Sequence, residues 1–152
     1  QRTSCPLPPL AGQASLRVPG ETRLGGWRVT TRLVETLAPR PSGQGRDDAR
    51  FAETFDLGSL GGALLLRARA PGDRFQPLGM AGSKKLQDFM VDGRIPREWR
   101  DSVPLVVSPM GIAWVVGWRV ADWARVRDDT ERALSIEVEA TIPRPDRSSG
   151  PT

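Results

Sequence analysis

Residues 27–35 alternate: Trp27, Val29, Thr31 and Leu33 fall on one parity, Arg28, Thr30, Arg32 and Val34 on the other. A period of two predicts a half-buried strand. Similar runs at 15–18, 51–57, 63–69, 103–108, 111–118 and 134–141 predict further strands. Turn chemistry separates them, at Gly20 to Gly26 and at Pro109-Met110. The period changes once. Leu86, Phe89 and Met90 stand at i, i+3 and i+4, which predicts a helix over 83–91 with Ser83 as its N-cap and Gly93 as its stop. Pro96 suits the first turn of a second short helix reaching Asp101. The fold class expected is α+β, mainly antiparallel strands with two short central helices.

Length fits one domain among the 152 residues. Residues 1–13, with Pro6, Pro8 and Pro9, read as a disordered segment or linker, and 143–152, with Pro143, Pro145 and Pro151, as a disordered tail. The single domain is expected over 14–142, with a mobile loop at about 36–50 that is rich in Gly, Pro and charge. Apolar residues make up 38%, and all five Trp lie between Trp27 and Trp123, enough for one modest core. The chain starts at Gln1 without a basic, apolar and cleavable layout, which predicts a segment of a longer chain and no secretory signal. No apolar run reaches the roughly 18 residues of a membrane helix, so the expectation is a soluble cytoplasmic protein without a membrane partner.

Several chemistries are excluded. With no His, there is no His general base, triad or His metal site. The lone Cys5 cannot close an intrachain disulfide and reads as an incidental exposed thiol. Gly79-Met80-Ala81-Gly82-Ser83-Lys84-Lys85 is not a P-loop: two residues separate its glycines where four are needed, and Ser precedes Lys. A backbone nest for a phosphate at the start of the helix remains open. Asp73 beside Arg74 reads as a loop-organising ion pair rather than a catalytic acid. No cofactor is expected, and no catalytic residue is assigned.

Charge points elsewhere. The formal net charge is +4, a mild bias towards polyanions. Residues 61–102 carry eight basic and five acidic groups, net +3, whereas 103–142 carry net −2. Of the 22 basic residues only Lys84 and Lys85 are Lys, and they are adjacent. With Arg67, Arg69, Arg74, Arg94, Arg97 and Arg100 they make a basic patch that can neutralise phosphates without reading sequence. The bland alternative is a solvated helix start. Phe75, Phe89 and Trp99 lie near enough to stack bases, but Phe89 belongs to the helix's apolar face, and Trp114, Trp118 and Trp123 read as packing residues.

The run from Leu66-Arg67-Ala68-Arg69 through Pro71-Gly72-Asp73-Arg74-Phe75-Gln76-Pro77-Leu78-Gly79 resembles the last domain of tRNA(Ile)-lysidine synthetases. The resemblance continues through Gly82-Ser83-Lys84-Lys85-Leu86-Gln87-Asp88-Phe89, Ile95-Pro96-Arg97 with Arg100, Val103-Pro104-Leu105-Val106 and Ile112-Ala113-Trp114-Val115-Val116-Gly117-Trp118. It is strongest over 63–139, and the order of the blocks is more specific than any one of them. It implies a small carboxy-terminal domain that grips the acceptor stem of the tRNA(Ile) with a CAU anticodon. The rest of such an enzyme uses ATP to adenylate the wobble cytidine and joins lysine to it, which changes AUG to AUA decoding. That chemistry, with ATP and Mg2+, belongs to an amino-terminal domain whose loop reads Ser-Gly-Gly-x-Asp-Ser. Ser42-Gly43-Gln44-Gly45-Arg46-Asp47 has the wrong order for it. Charge and resemblance meet on Arg74, Lys84, Lys85, Arg97 and Arg100 as phosphate contacts, with Gly72, Gly79 and Gly82 shaping the loop. The alternative is a structural module that packs against the remaining domains of its enzyme or forms a homodimer.

Overall fold

The computed structural model describes Leu10, residues 12–34 and residues 50–140. The expectations for Cys5, for 36–49 and for the carboxy-terminal tail lie outside these residues. An antiparallel sheet runs in the order β1 (Gln13–Ser15), β5 (Leu65–Arg67), β8 (Leu105–Ser108), β9 (Gly111–Val115) and β10 (Arg119–Val120). A second runs β2 (Gly20–Leu24), β3 (Trp27–Val34), β11 (Ala133–Ala140) and β4 (Arg50–Asp56), again antiparallel. A two-residue ribbon pairs β6 (Arg74–Phe75) with β7 (Lys84–Lys85). Two helices, α1 (Leu57–Leu60) and α2 (Leu86–Asp92), and two 310 turns, Arg97–Ser102 and Asp122–Ala124, complete the described elements. The class is α+β with antiparallel strands dominant. No helix among the described residues is long and apolar enough to cross a membrane.

The alternation of β3 does what a period of two requires: Trp27, Val29 and Thr31 are buried while Arg28, Thr30 and Arg32 face outward. β11 pairs with all eight residues of β3, from Ala133 on Val34 to Ala140 on Trp27, and separates β3 from β4. Its Leu134, Ile136 and Val138 are fully buried, each side chain stabilising by roughly 1.5–3 kcal/mol through lost water contact. Phe55 of the second sheet and Trp114 of the first meet at 5.6 Å between ring centroids, joining the sheets in one core.

Four expectations are corrected. The stretch 20–24 was expected as turn and is a strand on β3; only Gly25 and Gly26 make the turn, with Gly25 at φ 59°. Its polar Glu21, Thr22 and Arg23 carry little strand signal, and pairing with β3 supplies the hydrogen bonds instead. The run 111–118 is not one strand. Gly117 at φ 90° turns the chain, and Arg119–Val120 folds back on Val115 and Trp114. The run 51–57 ends at Asp56, whose carboxylate caps α1 by accepting from the Gly58 N–H at 3.2 Å and the Ser59 hydroxyl at 2.9 Å.

The fourth correction bears on function. α2 begins at Leu86, two residues later than Ser83 as N-cap would start it, and Lys85 is its N-cap residue with no side-chain capping bond. Lys84 and Lys85 are extended because they pair with Phe75 and Arg74. The apolar face is as expected: Leu86, Phe89 and Met90 are buried, and Phe89 meets Phe75 edge-on at 4.9 Å. At the far end the left-handed residue is Arg94 (φ 60°), not Gly93, whose φ is −80°.

Candidate nucleic-acid interface

The ribbon sets the site. Arg74 lies directly opposite Lys85, and residues opposite one another in an antiparallel pair project from the same face. Phe75 and Lys84 form the other pair; Phe75 is buried, so Arg74 and Lys85 project to solvent, and both are exposed. Like charges at such a position destabilise a ribbon by a few tenths of a kcal/mol to about 1 kcal/mol. No carboxylate among the described residues relieves them. Arg74 instead donates from Nε and Nη2 to the hydroxyl and carbonyl of Ser83, both at 3.1 Å. That fixes its guanidinium without neutralising it.

The other cations divide by their partners. Lys84 is ion-paired to Asp92 at 2.5 Å and is half-buried. Arg69 pairs with Asp101 at 2.8 Å. Arg100 is half-buried and spends its Nε on the Ile95 carbonyl at 3.0 Å, holding the turn that precedes it. Arg97, at the start of its 310 turn, and Arg94 are exposed and have no ion-pair partner among the described residues. Five cations were singled out from the sequence. The ribbon brings Arg74, Lys84 and Lys85 together, with Lys84 already paired, while Arg97 and Arg100 sit on the separate 310 turn.

Asp73 does not pair with its neighbour Arg74. Its carboxylate accepts two bonds from Arg67, at 2.9 and 3.0 Å, and one from the Ala70 N–H at 2.8 Å. Burial by itself pushes this carboxyl up. The bonds from Arg67 and Ala70, with the charge of Arg67, outweigh that and leave it below the ordinary 3.8. Arg74 instead spends its guanidinium on Ser83.

Four hydrogen bonds that the sequence did not signal hold the loop between β6 and β7. Gln76 donates to the carbonyls of Met80 and Ala81, at 2.8 and 3.2 Å. Asp122 accepts from the Gly79 N–H at 3.0 Å, and the Leu78 N–H reaches the Val120 carbonyl at 3.0 Å. Asp122 is 43 residues away in the chain, so no local pattern points to it. Gly72 and Gly79 sit at φ +86° and +88° with open space where a Cβ would go, so the backbone angle alone favours glycine there. Gly82 has neither a positive φ nor a close neighbour.

Of the aromatics near the patch, Phe75 and Phe89 are core. Trp99 is partly buried against the core, and its indole Nε1 is enclosed without a hydrogen-bond partner. No three His, Cys, Asp or Glu side chains among the described residues could hold one metal ion.

Comparison with known proteins adds the following. Residues 64–137 match a family model described as the TilS substrate C-terminal domain. The chain is 42% identical over 133 residues to a tRNA(Ile)-lysidine synthase of Dehalococcoides mccartyi, covering 88% of this chain and 27% of that protein. A tRNA(Ile)-lysidine synthase of Symbiobacterium thermophilum is 40% identical over 135 residues, 88% of this chain and 26% of that one. The chain thus spans about a quarter of the length of these curated relatives. A crystal structure of a TilS C-terminal domain superposes with a TM-score of 0.67 at 26% identity, over 87% of this chain and all of that one.

Proposed function

Because the chain belongs to the tRNA(Ile)-lysidine synthase family, matching its C-terminal domain, we propose that its exposed, unneutralised cations grip the acceptor stem of the tRNA(Ile) that carries a CAU anticodon. Arg74 and Lys85 form the centre of the contact, and the exposed Arg94 and Arg97 extend it. The observation that carries this reading is the ribbon register, which sets two like charges side by side with no carboxylate for either among the described residues. Such an arrangement costs stability in the free protein and is relieved by a phosphate. Backbone contact of this kind fixes register and orientation without reading sequence, which is how duplex RNA is mostly recognised.

In the whole enzyme this grip orients the tRNA so that its distant anticodon reaches the amino-terminal domain. There ATP, with Mg2+, activates the wobble cytidine 34, and lysine is ligated to it. The domain described here contributes positioning and no reacting group, and it acts in the cytoplasm with the rest of the enzyme. Lys84 and Arg100, singled out with the others, serve the geometry of the surface before they serve the RNA, since each already has a partner.

The test is a titration of the chain with that tRNA, beside an Arg74→Ala/Lys85→Ala variant, at two salt concentrations. Four phosphate contacts lose on the order of a hundredfold in affinity between about 50 and 200 mM salt, and the variant is expected to lose both affinity and about half of that slope. Equal, salt-insensitive affinity in both proteins would instead favour the packing role, against the remaining domains or a second copy.

A further inference from the structure

The patch holds two kinds of ion pair. Arg67 and Asp73 are largely enclosed, at 20% and 14% side-chain exposure, and organise a turn. The pairs Lys84–Asp92 and Arg69–Asp101 differ: their carboxylates are 65% and 80% exposed and do nothing else that the structure records. Asp92 ends α2 two residues before the exposed Arg94, and Asp101 lies on the same 310 turn as Arg97. Each exposed carboxylate therefore withdraws one cation from the patch and stands close along the chain to another cation that is left free.

Resting on the reading of this surface as an RNA contact, we infer that Asp92 and Asp101 are specificity-determining residues that act as intramolecular competitors of phosphate. A cation already paired adds affinity only if phosphate displaces its carboxylate, and the displaced carboxylate then stays nearby and repels. Exposed pairs are weak, so the exchange is easy where a phosphate is well placed and unrewarding where it is not. With Lys84 and Arg69 so occupied, the contact set is sparse: Arg74, Lys85, Arg94 and Arg97. A sparse set demands that the phosphates of the partner match its spacing. Freeing Lys84 and Arg69 would add two available cations, and non-specific affinity for any helical polyanion grows with the number of phosphates neutralised. Both carboxylates are unsuited to a structural account. Asp92 sits at the C-terminus of a helix, where negative charge is unfavourable, and Asp101 is mostly in water.

The test compares wild-type chain with Asp92→Asn, Asp101→Asn and the double variant, each titrated with the CAU-anticodon tRNA(Ile) and with a duplex RNA of unrelated sequence, at about 50 and 200 mM salt. The double variant is expected to bind the unrelated duplex about tenfold more tightly, with a salt slope steeper by nearly one unit per freed cation. Affinity for the tRNA rises about threefold or less, so discrimination falls. Adding Lys84→Ala to Asp92→Asn should return both affinity and slope towards wild type, whereas adding Arg32→Ala, which removes the same charge from the outer face of β3, should leave the gain in place. A wild type that binds the tRNA with a steep salt slope while the variants keep the same ratio of affinities would overturn this inference and leave the acceptor-stem reading standing. A wild type that shows no salt-dependent binding to the tRNA would overturn both.

Discussion

Two faces of this molecule carry many arginines and treat them oppositely. On the outer face of the four-stranded sheet, Arg23 is held by Glu21 two residues away on β2, Arg28 by Glu139 directly opposite on β11, and Arg50 by Glu137, diagonal to it on β11. Around the β6–β7 ribbon, Arg74, Lys85, Arg94 and Arg97 have no carboxylate among the described residues. On the sheet face three arginines are held by carboxylates, and Arg32 is exposed without an ion pair among the described residues. Counting basic residues therefore does not separate the two faces; the number left without a carboxylate does. In the sheet the long register sets Glu139 opposite Arg28, although Arg23 lies opposite it on the other side. The two-residue ribbon has no third strand from which a carboxylate could do the same for Arg74 and Lys85.

The comparison breaks most readily at the pair that supports the ribbon. Arg67→Ala leaves the mostly enclosed Asp73 carboxylate with the Ala70 N–H alone and is expected to cost about 2 kcal/mol, measurable by urea unfolding. A loss under about 0.5 kcal/mol would mean that the 70–73 turn does not depend on it. The same pair sets a pH dependence. Asp73 is held below its ordinary value, so its contribution is fully present above about pH 4 and is lost as pH falls through the lowered folded pKa. The unfolded carboxyl takes up its proton first, and stability drops with acid. In Arg67→Ala that acid-dependent part should shrink in the same unfolding series.

Sharper still is the contrast between the two adjacent lysines. Lys85→Ala is expected to weaken tRNA binding about fivefold, close to 1 kcal/mol, and to lower the salt slope by about one. Lys84→Ala, which removes a cation already paired with Asp92, should change affinity less than twofold. Equal losses in a filter-binding titration would show that ion pairing inside the patch is irrelevant to RNA. The smallest effect belongs to the sheet. Arg28→Ala should leave stability nearly unchanged, as weak surface pairs do, with tRNA affinity unchanged within twofold. A larger loss of binding would bring the sheet face into the interface.

Much of the fold was legible because burial enforces a period. Trp27, Val29 and Thr31 announced β3, Leu134, Ile136 and Val138 announced β11, and Leu86, Phe89 and Met90 announced the apolar face of α2, each through spacing alone. The candidate site was legible as a place along the chain, since the net positive stretch and the resemblance both pointed to 61–102. Polar strands were not legible, because Gly20–Leu24 is a strand only by virtue of its neighbour.

By itself the sequence determined which residues must leave water and where the cations are concentrated, because hydrophobic periodicity and charge are local properties of a chain. The tertiary structure alone decided that the last strand lies between β3 and β4, that Arg74 faces Lys85, and that Asp73 takes Arg67 rather than its neighbour. It also decided that Lys84 is occupied while Lys85 has no ion-pair partner among the described residues. Those outcomes depend on register and side-chain direction between segments distant in sequence. A shift of one residue in the ribbon would exchange the pair that faces solvent with the pair that faces the core.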